Sequence, residues 1–243
     1  MINKKISAFR KKLKKKCLIG AWFQLPIYEI GNIIKDTFDW CCIDLEHGLI
    51  NLSDISYMQN SLINKNFPIL VRLNIKDIKL APKILDLGID GLIIANTNNK
   101  NDLKDVVKYS LYPPKGERSI GYAKSNNFHF KQNDLKFSPI LIPMIEKKEA
   151  FENLNTLLDF RNFDGFFIGP VDLSASYNKF KLGETKLIEN KIKKIVTTMK
   201  KNNIPVGIHS ISPDKSKIKK LKKSNYNFIA YSTDSVIIKH FYT

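Results

Sequence analysis

The sequence predicts an α/β protein with a (β/α)8 barrel, the TIM-barrel architecture, on three observations. Eight short runs rich in β-branched and aromatic residues recur along the 243-residue chain. The segments between them are polar, with apolar residues at helical spacing. The length suits one barrel domain spanning residues 1–243, in which 1–16 form a basic N-terminal helix or arm.

The eight predicted strands are apolar throughout, which is typical of parallel strands covered by helices on both faces. In chain order they are "CLIGAWFQ" (17–24), "WCCIDLE" (40–46), "PILVRL" (68–73), "GLIIAN" (91–96), "PILIPMIE" (139–146), "GFFIGP" (165–170), "IPVGIH" (204–209) and "FIAYST" (228–233). Segments such as "LSDISYMQNSLINK" and "ENKIKKIVTTMKKN" are the predicted helices between them. The irregular segment 112–134 is too long for a plain connection, so we expect it to cover a site or to form an interface.

The net charge of +17 suggests nucleic-acid binding, but the kind of basic residue argues against it. Of the 40 basic residues only Arg10, Arg72, Arg118 and Arg161 are arginine, the residue that reads phosphates and bases with two parallel hydrogen bonds. The lysines are scattered over the polar helical segments, and 11–16 is the best support for a nucleic-acid partner. We therefore expect neither a nucleic-acid nor a membrane partner.

The cellular location is predicted to be cytoplasmic. No apolar run reaches the roughly 20 residues that span a bilayer, and no apolar signal core follows the basic N-terminus. Cys41 and Cys42 are adjacent in a predicted strand, so their side chains point to opposite faces. That arrangement suits reduced core thiols.

Titratable side chains cluster at the predicted strand ends. Barrels of this type carry their chemistry at the C-terminal ends of the strands, so these side chains should share one mouth. They are Gln24, Asp44, Glu46, His47, Arg72, Glu146, Asp172 and His209.

Glu146 and Asp172 are one βα repeat apart and should lie on adjacent strands, which are about 4.8 Å apart. Two carboxylates with open positions suit a hard divalent cation such as Mg²⁺ or Mn²⁺. Gly169 and Pro170 expose backbone beside Asp172 and add to this interpretation. Either acid alone would more simply be a solvated strand-end carboxylate.

His47 and Arg72 are the other candidates for chemistry. A neutral imidazole at position 47 could move a proton near neutral pH if a carboxylate orients it, and Asp86 in "ILDLG" is one candidate for that carboxylate. Arg72 interrupts an apolar strand and needs an anion, either a substrate oxyanion or a structural partner such as Asp44 or Glu46.

At these residues the chain resembles the HpcH/HpaI aldolases, a family of metal-dependent pyruvate aldolases. The resemblance rests on "FDWCCIDLEHG", "ILDLGIDGLII", "YPPKGERSIG", "IEKKEAFENL" and "DGFFIGPVDLSAS", which occur in the family's order from about Gly20 to Asp234. It implies a (β/α)8 barrel, usually assembled as a hexamer, that cleaves 4-hydroxy-2-oxo acids reversibly to pyruvate and an aldehyde.

The resemblance also implies roles for individual residues. Glu146 and Asp172 would bind one divalent ion (Mg²⁺, Mn²⁺ or Co²⁺) that pyruvate chelates, and Arg72 would stabilise the pyruvate enolate. His47, paired with Asp86, would be the base, and the backbone of Gly169, Pro170, Val171 and Asp172 would receive the carboxylate, with Asp44 and Glu46 supporting the site. His209 would face the aldehyde, where its polarity suggests a hydroxylated or acidic aldehyde.

Three departures from the family's pattern stand out. Met144 occupies a position where the family commonly has glutamine, and Ala95 and Asn96 replace a turn that usually contains proline. The chain stops at "IIKHFYT", short of the family's long last helix, which bears on the oligomer.

Two other functions are compatible with the sequence. A metal-dependent lyase or decarboxylase acting on an oxo acid would pass through the same enolate, and a catalytically inactive basic barrel could bind RNA or a partner. The eight strand runs contain no lysine, which favours a metal over a lysine imine as the electron sink.

Overall fold

Eight strands form a closed barrel in the computed structural model, which describes residues 2–34, 37–62, 67–129, 131, 136–178 and 186–242. The strands are β1 Leu18–Phe23, β2 Trp40–Asp44, β3 Ile69–Asn74, β4 Gly91–Ala95, β5 Ile140–Ile145, β6 Phe166–Ile168, β7 Val206–Ser210 and β8 Phe228–Tyr231. Each strand pairs in parallel with the next, and β8 pairs in parallel with β1. The predicted fold class is confirmed.

Helices connect the strands and surround the barrel. They are α1 Ile2–Leu13, α2 Ile30–Ile34, α3 Leu52–Leu62, α4 Ala81–Asp86, α5 Lys100–Ser110, α6 Lys148–Glu152, α7 Leu154–Leu158, α8 Pro170–Ser176, α9 Lys186–Lys201, α10 Lys215–Lys222 and α11 Asp234–Tyr242, with 3-10 turns at Ile75–Leu80 and Lys124–Asn126. Local chemistry sets several of their ends. Asn99 and Asp102 form a capping box on α5, and Pro170 opens α8, where its missing N–H costs nothing.

The barrel interior is filled by large side chains, and helix α1 closes its N-terminal end. Trp22, Trp40 and Phe167 belong to one buried cluster that also includes apolar residues of α1. Those residues, Ile6, Phe9 and Leu13, recur at helical spacing and form one face of α1. The basic residues of α1 are left on its other faces.

Strand alternation places the polar residues of the candidate site inside the barrel. Leu70 packs in the interior cluster, whereas Val71 packs in the layer between strands and helices. Because side chains alternate along a strand, Arg72 shares the inward side with Leu70. The same period carries Asp44 inward after Cys42. Within the described residues, no helix is both long and apolar enough to cross a membrane.

The irregular segment 112–134 packs over α3 and α4 where the structure describes it. Residues 130 and 132–134 lie outside the described part of the chain. Lys124 Nζ donates a hydrogen bond to Gln59 Oε1 of α3 at 2.7 Å. Arg118 is buried and binds Asp86 at the end of α4.

Candidate active site

A buried ion pair between Asp44 and Arg72 forms the centre of the barrel mouth. Arg72 donates from Nε to Asp44 Oδ1 at 2.8 Å and from Nη2 to Oδ2 at 2.5 Å. The backbone N–H groups of Glu46 and His47 also donate to Asp44 Oδ1. Burial opposes ionisation of Asp44, but the hydrogen bonds and charge of Arg72 outweigh it and hold the Asp44 pKa below its usual value.

One aromatic side chain, Trp22, fixes the orientation of this pair. Its Nε1 donates to Asp44 Oδ2 at 3.1 Å, and the Arg72 guanidinium carbon lies 5.2 Å from its ring centroid. The ring also packs against His209, with centroids 4.7 Å apart, and against Phe167 at 5.6 Å. These contacts hold Arg72 in one position before any substrate binds.

His209 packs against the Trp22 ring as a neutral imidazole. Burial lowers its pKa to about 4, and the positive charge of Arg72 acts in the same direction. Its Nε2 is 3.0 Å from the carbonyl oxygen of Ser232, which can only accept, so Nε2 carries the proton. The other ring nitrogen, Nδ1, is therefore a hydrogen-bond acceptor.

Glu46 connects the ion pair to the next two strands. Its Oε2 lies 3.2 Å from Arg72 Nη1. Its Oε1 accepts from Asn74 Nδ2 at 2.7 Å and from Asn96 Nδ2 at 3.0 Å. Asn96 also donates its backbone N–H to Glu146 Oε1 at 2.6 Å, so one residue positions two carboxylates. Its φ of 60° lies in the left-handed region, where asparagine is favoured among non-glycine residues.

Glu146 and Asp172 follow neighbouring strands, as predicted. Strands β5 and β6 pair with Ile145 opposite Ile168, so Glu146 and Gly169 follow at the same level. A Cβ added to Gly169 would be 2.7 Å from Glu146 Oε2, which shows that the carboxylate lies directly against the backbone there. Asp172 is in the first turn of α8, which begins one residue later.

Two carboxylates outweigh the nearest positive charge, that of Arg72, around Glu146. Burial raises the pKa of Glu146 to about 7, and the charges of Asp172 and Glu46 act in the same direction. Within the described part of the chain, no lysine or arginine forms an ion pair with Glu146 or Asp172. Two oxygen-donor carboxylates that have no ion-pair partner among the described residues fit a hard divalent cation.

A metal ion bound between Glu146 and Asp172 would have two protein ligands. Among the described residues, no three His, Cys, Asp or Glu side chains lie close enough together to hold a metal ion. Glu146 and Asp172 would therefore leave the remaining positions to water and substrate oxygens, as Mg²⁺ commonly does.

The predicted pair of His47 and Asp86 does not form within the chain. His47 follows β2 at the mouth, and its side chain is exposed. Asp86 ends α4 in the outer layer, where its Oδ1 accepts from Nη2 of the buried Arg118 at 2.5 Å. Arg118 is held in turn over the Tyr112 ring, 4.6 Å from its centroid. Arg118 occupies one oxygen of the Asp86 carboxylate, and the expectation that Asp86 orients His47 stays a prediction.

The residues predicted to receive a carboxylate lie together at one turn. Gly169 directly follows β6, and Pro170 and Val171 begin α8 ahead of Asp172. The Gly169 N–H donates to the Ile145 carbonyl at 3.3 Å. Met144, which departs from the family's glutamine, contributes a methyl group 3.3 Å from the Cβ position of Gly169. The wall beside Glu146 is therefore partly apolar.

Two members of this site, Trp22 and Asn96, are not among the site residues predicted from the sequence. Trp22 lies two residues before the end of the first predicted strand, and strand alternation indicates its inward side. Asn96 is a polar residue directly after a buried strand, and that position is its signal in the sequence.

A family model for HpcH/HpaI aldolase/citrate lyase matches residues 28–240 of the chain. The chain belongs to this family. The 2-keto-3-deoxy-L-rhamnonate aldolase of Escherichia coli (strain K12 / DH10B) is 27% identical over 243 residues, covering 94% of this chain and 88% of that protein.

Solved structures share the barrel. A HpcH/HpaI aldolase/citrate lyase family protein from Burkholderia cenocepacia J2315 superposes with a TM-score of 0.89 at 20% identity, covering 97% of this chain and 96% of that one. Protein CitE from Mycobacterium tuberculosis, solved in complex with magnesium and acetoacetate, has a TM-score of 0.59 at 12% identity and covers 93% and 89%. At these identities the two structures support the fold alone.

The comparisons confirm the family that the sequence motifs indicated. Family membership and the aldolase-named relatives also confirm the prediction of a carbon–carbon lyase. They favour neither the decarboxylase nor the inactive barrel that binds RNA or a partner.

Proposed function

We propose that the protein is a metal-dependent aldolase that cleaves a 4-hydroxy-2-oxo acid reversibly to pyruvate and an aldehyde. One observation carries the proposal. Glu146 is buried beside Asp172 and Glu46 at the mouth of an aldolase-family barrel, and within the described part of the chain it has no ion-pair partner, although the charge of Arg72 reaches it. A buried carboxylate in that setting is costly unless a positive charge joins it.

Glu146 and Asp172 would hold the divalent ion, which is Mg²⁺, Mn²⁺ or Co²⁺. When bound, such an ion supplies Lewis-acid stabilisation of the negative charge that develops on a keto oxygen. The magnesium in the Mycobacterium tuberculosis CitE structure is consistent with this assignment. Asn96 supports the site because its backbone N–H fixes Glu146 Oε1.

Arg72 binds the pyruvyl oxygens in this proposal. Its guanidinium has five N–H groups, of which two bind Asp44 and one faces Glu46. Two N–H groups are left for a substrate oxyanion. Asp44, Glu46 and Trp22 act as positioning residues, because they hold the guanidinium plane before the substrate arrives. The backbone N–H groups of Val171 and Asp172, in the first turn of α8, receive the substrate carboxylate. The two preceding residues of the turn do not donate to it, because the Gly169 N–H bonds the Ile145 carbonyl and Pro170 has no N–H.

His47 serves as the base that takes the proton from the 4-hydroxyl group, directly or through a water molecule. As that proton leaves, the C3–C4 bond breaks, its electrons pass to the pyruvyl fragment as an enolate, and C4 becomes the aldehyde carbon. Protonation of the enolate at C3 yields pyruvate. The exposed imidazole of His47 can exchange its proton with solvent between turnovers.

His209 faces the aldehyde end and favours a hydroxylated aldehyde. Because Nε2 is bound to the Ser232 carbonyl, the acceptor Nδ1 is the nitrogen left to receive a substrate hydroxyl. We therefore expect His209→Leu to favour apolar aldehydes over hydroxylated ones in the condensation direction.

The assembly and location follow the family. We propose a homo-oligomer of single-domain subunits, because Leu49, Tyr122 and Phe128 are each at least 70% exposed. A cytoplasmic location is supported by the free thiols of Cys17, Cys41 and Cys42.

Pyruvate release from a panel of 4-hydroxy-2-oxo acids tests the function. The panel includes 2-keto-3-deoxy-L-rhamnonate, and pyruvate is measured with a coupled dehydrogenase after metal removal and after addition of Mg²⁺, Mn²⁺ or Co²⁺. We expect EDTA to abolish release and a divalent ion to restore it. Glu146→Gln and Asp172→Asn should each be inactive and should not bind metal.

Treatment with borohydride distinguishes a metal-dependent mechanism from one that forms a lysine imine. None of the eight strands contains a lysine. Treatment with pyruvate and borohydride should therefore leave the activity and the mass of the protein unchanged. A mass increase on one lysine, together with activity that survives EDTA, would contradict the proposal.

A further inference from the structure

A basic cavity lies at the N-terminal face of the barrel, at the end opposite the candidate active site. Its volume is about 480 Å³, and its walls are formed by residues that directly precede β1, β7 and β8. Asp44 and Glu146 lie instead at the C-terminal ends of their strands. A strand of five or six residues spans about 15–20 Å, so this cavity is separate from the site described above.

Five lysines line this cavity, and no acidic residue of the described part of the chain does. They are Lys14, Lys15, Lys16, Lys200 and Lys222. Lys16 is neutralised by Asp39 at 3.1 Å, and Lys200 donates to the Asn225 amide oxygen at 2.9 Å. Within the described residues, the other three lysines have no carboxylate at ion-pair distance.

Helix ends account for the position of each lysine in the sequence. Lys200 is in the last turn of α9 and Lys222 ends α10, where cations stabilise the helix dipole. Lys14 and Lys15 follow directly on the end of α1, where the same effect applies. Helix dipoles do not require these three ends to share one concave surface, and the positive charge gathered there favours an anionic ligand.

A second cavity adjoins the first and has a different character. Its volume is about 340 Å³, and it shares Lys14 and the segment 203–205 with the basic cavity. Phe160 and Phe163 line it together with Arg10, Arg161 and Asp164, of which Arg10 and Asp164 form an ion pair. The two cavities together offer several cations for negative charges and two aromatic rings for an apolar group.

We infer that these adjoining cavities form a second ligand site, which binds an organic di- or triphosphate that carries an aromatic or apolar group. Lysine ammonium groups recognise phosphates as point charges, and a single carboxylate would leave most of the charge unmatched. The size of the basic cavity falls within the range of small-molecule pockets. The basic segment 14–16, which the active site does not use, acquires a role here.

Isothermal titration calorimetry with ATP, tripolyphosphate and adenosine tests the inference. The buffer has low salt and is stripped of metal on a chelating resin, so that phosphate–metal complexes do not form. We expect saturable one-to-one binding of ATP and tripolyphosphate, with ATP the tighter, and no binding of adenosine alone. The triple variant K14Q/K200Q/K222Q should bind ATP about 30-fold more weakly or worse, at roughly three- to tenfold per lost ammonium group.

Two control variants test whether weaker ATP binding is due to the loss of the cavity lysines. K76Q/K79Q/K83Q removes the same charge from exposed lysines in 75–80 and α4, far from the cavity, and should bind ATP as the wild type does. Arg72→Lys should also retain binding, since Arg72 lies at the other end of the barrel. Circular dichroism checks that every variant is folded, and the single variants K200Q and K222Q replace the triple variant if it is not.

Three results would overturn the inference. They are an absence of saturable ATP binding by the wild type at millimolar concentration, equal weakening in the control triple variant, and loss of binding in Arg72→Lys. The second would indicate diffuse charge attraction, and the third would place the anion at the barrel mouth.

Discussion

Acidification should lower the free energy of unfolding through His209, because its imidazole stays neutral in the folded barrel. Burial lowers the pKa of His209 to about 4, against an ordinary value of 6.5. Arg72 acts in the same direction, whereas the Ser232 carbonyl and Asp44 oppose it. Between about pH 6.5 and pH 4 the unfolded chain therefore binds a proton that the folded chain excludes. In that range the free energy of unfolding rises with pH and falls on acidification.

The size of this effect follows from the two pKa values. At about pH 7.5 both states hold a neutral His209, so its contribution is negligible. At about pH 5 the unfolded state gains about 2 kcal/mol from the proton, and the partial exposure of the ring reduces this to about 1–2 kcal/mol.

Urea unfolding at the two pH values isolates the contribution. His209→Gln keeps a donor for the Ser232 carbonyl but does not titrate. Its free energy of unfolding should therefore fall by about 1–2 kcal/mol less than that of the wild type on acidification. His129→Gln, at an exposed histidine, is the matched control and should behave as the wild type. Equal acid losses in the wild type and His209→Gln would refute a neutral, desolvated His209.

Three substitutions probe the rest of the site. Gly169→Ala adds a Cβ 2.7 Å from Glu146 Oε2, and alanine readily adopts the φ of −96° at this position, so the protein should still fold. Because the new methyl group displaces the Glu146 carboxylate, calorimetry should show at least about tenfold weaker binding of Mn²⁺. Asp44→Asn should lower the free energy of unfolding in urea by about 3–5 kcal/mol, because the buried Arg72 loses its charged partner, and a loss below 1 kcal/mol would contradict the buried pair. His47→Ala should leave metal binding intact while turnover, measured as pyruvate release, falls about 10²- to 10⁴-fold; unchanged turnover would remove His47 as the base.

Hydrophobic pattern alone was sufficient to predict the barrel. All eight predicted strands are present, because fully apolar runs of this length fit a parallel sheet covered on both faces. The predicted strand ends were less accurate. Strand β6 ends at Ile168, two residues before the predicted end at Pro170, since Pro170 starts a helix.

The side chains at the strand ends were predictable for the same reason. Parallel strands in a barrel bring their C-terminal ends to one mouth, so Asp44, Arg72 and Glu146 had to lie near one another. Side-chain partners depend instead on geometry that spacing does not encode. Asp86 binds Arg118 because a loop residue distant in sequence is buried beside α4, and no local pattern indicates that contact.

Deuterium exchange at the methyl group of pyruvate tests the central claim most directly, because it requires the enolate and no knowledge of the aldehyde. Proton NMR in D₂O would follow loss of the methyl signal with the metal-free protein, with added Mg²⁺ or Mn²⁺, and with Glu146→Gln. We expect exchange only when the wild-type protein and a divalent ion are both present. Exchange by the metal-free protein, or by Glu146→Gln at the wild-type rate, would contradict a metal site at Glu146 and Asp172.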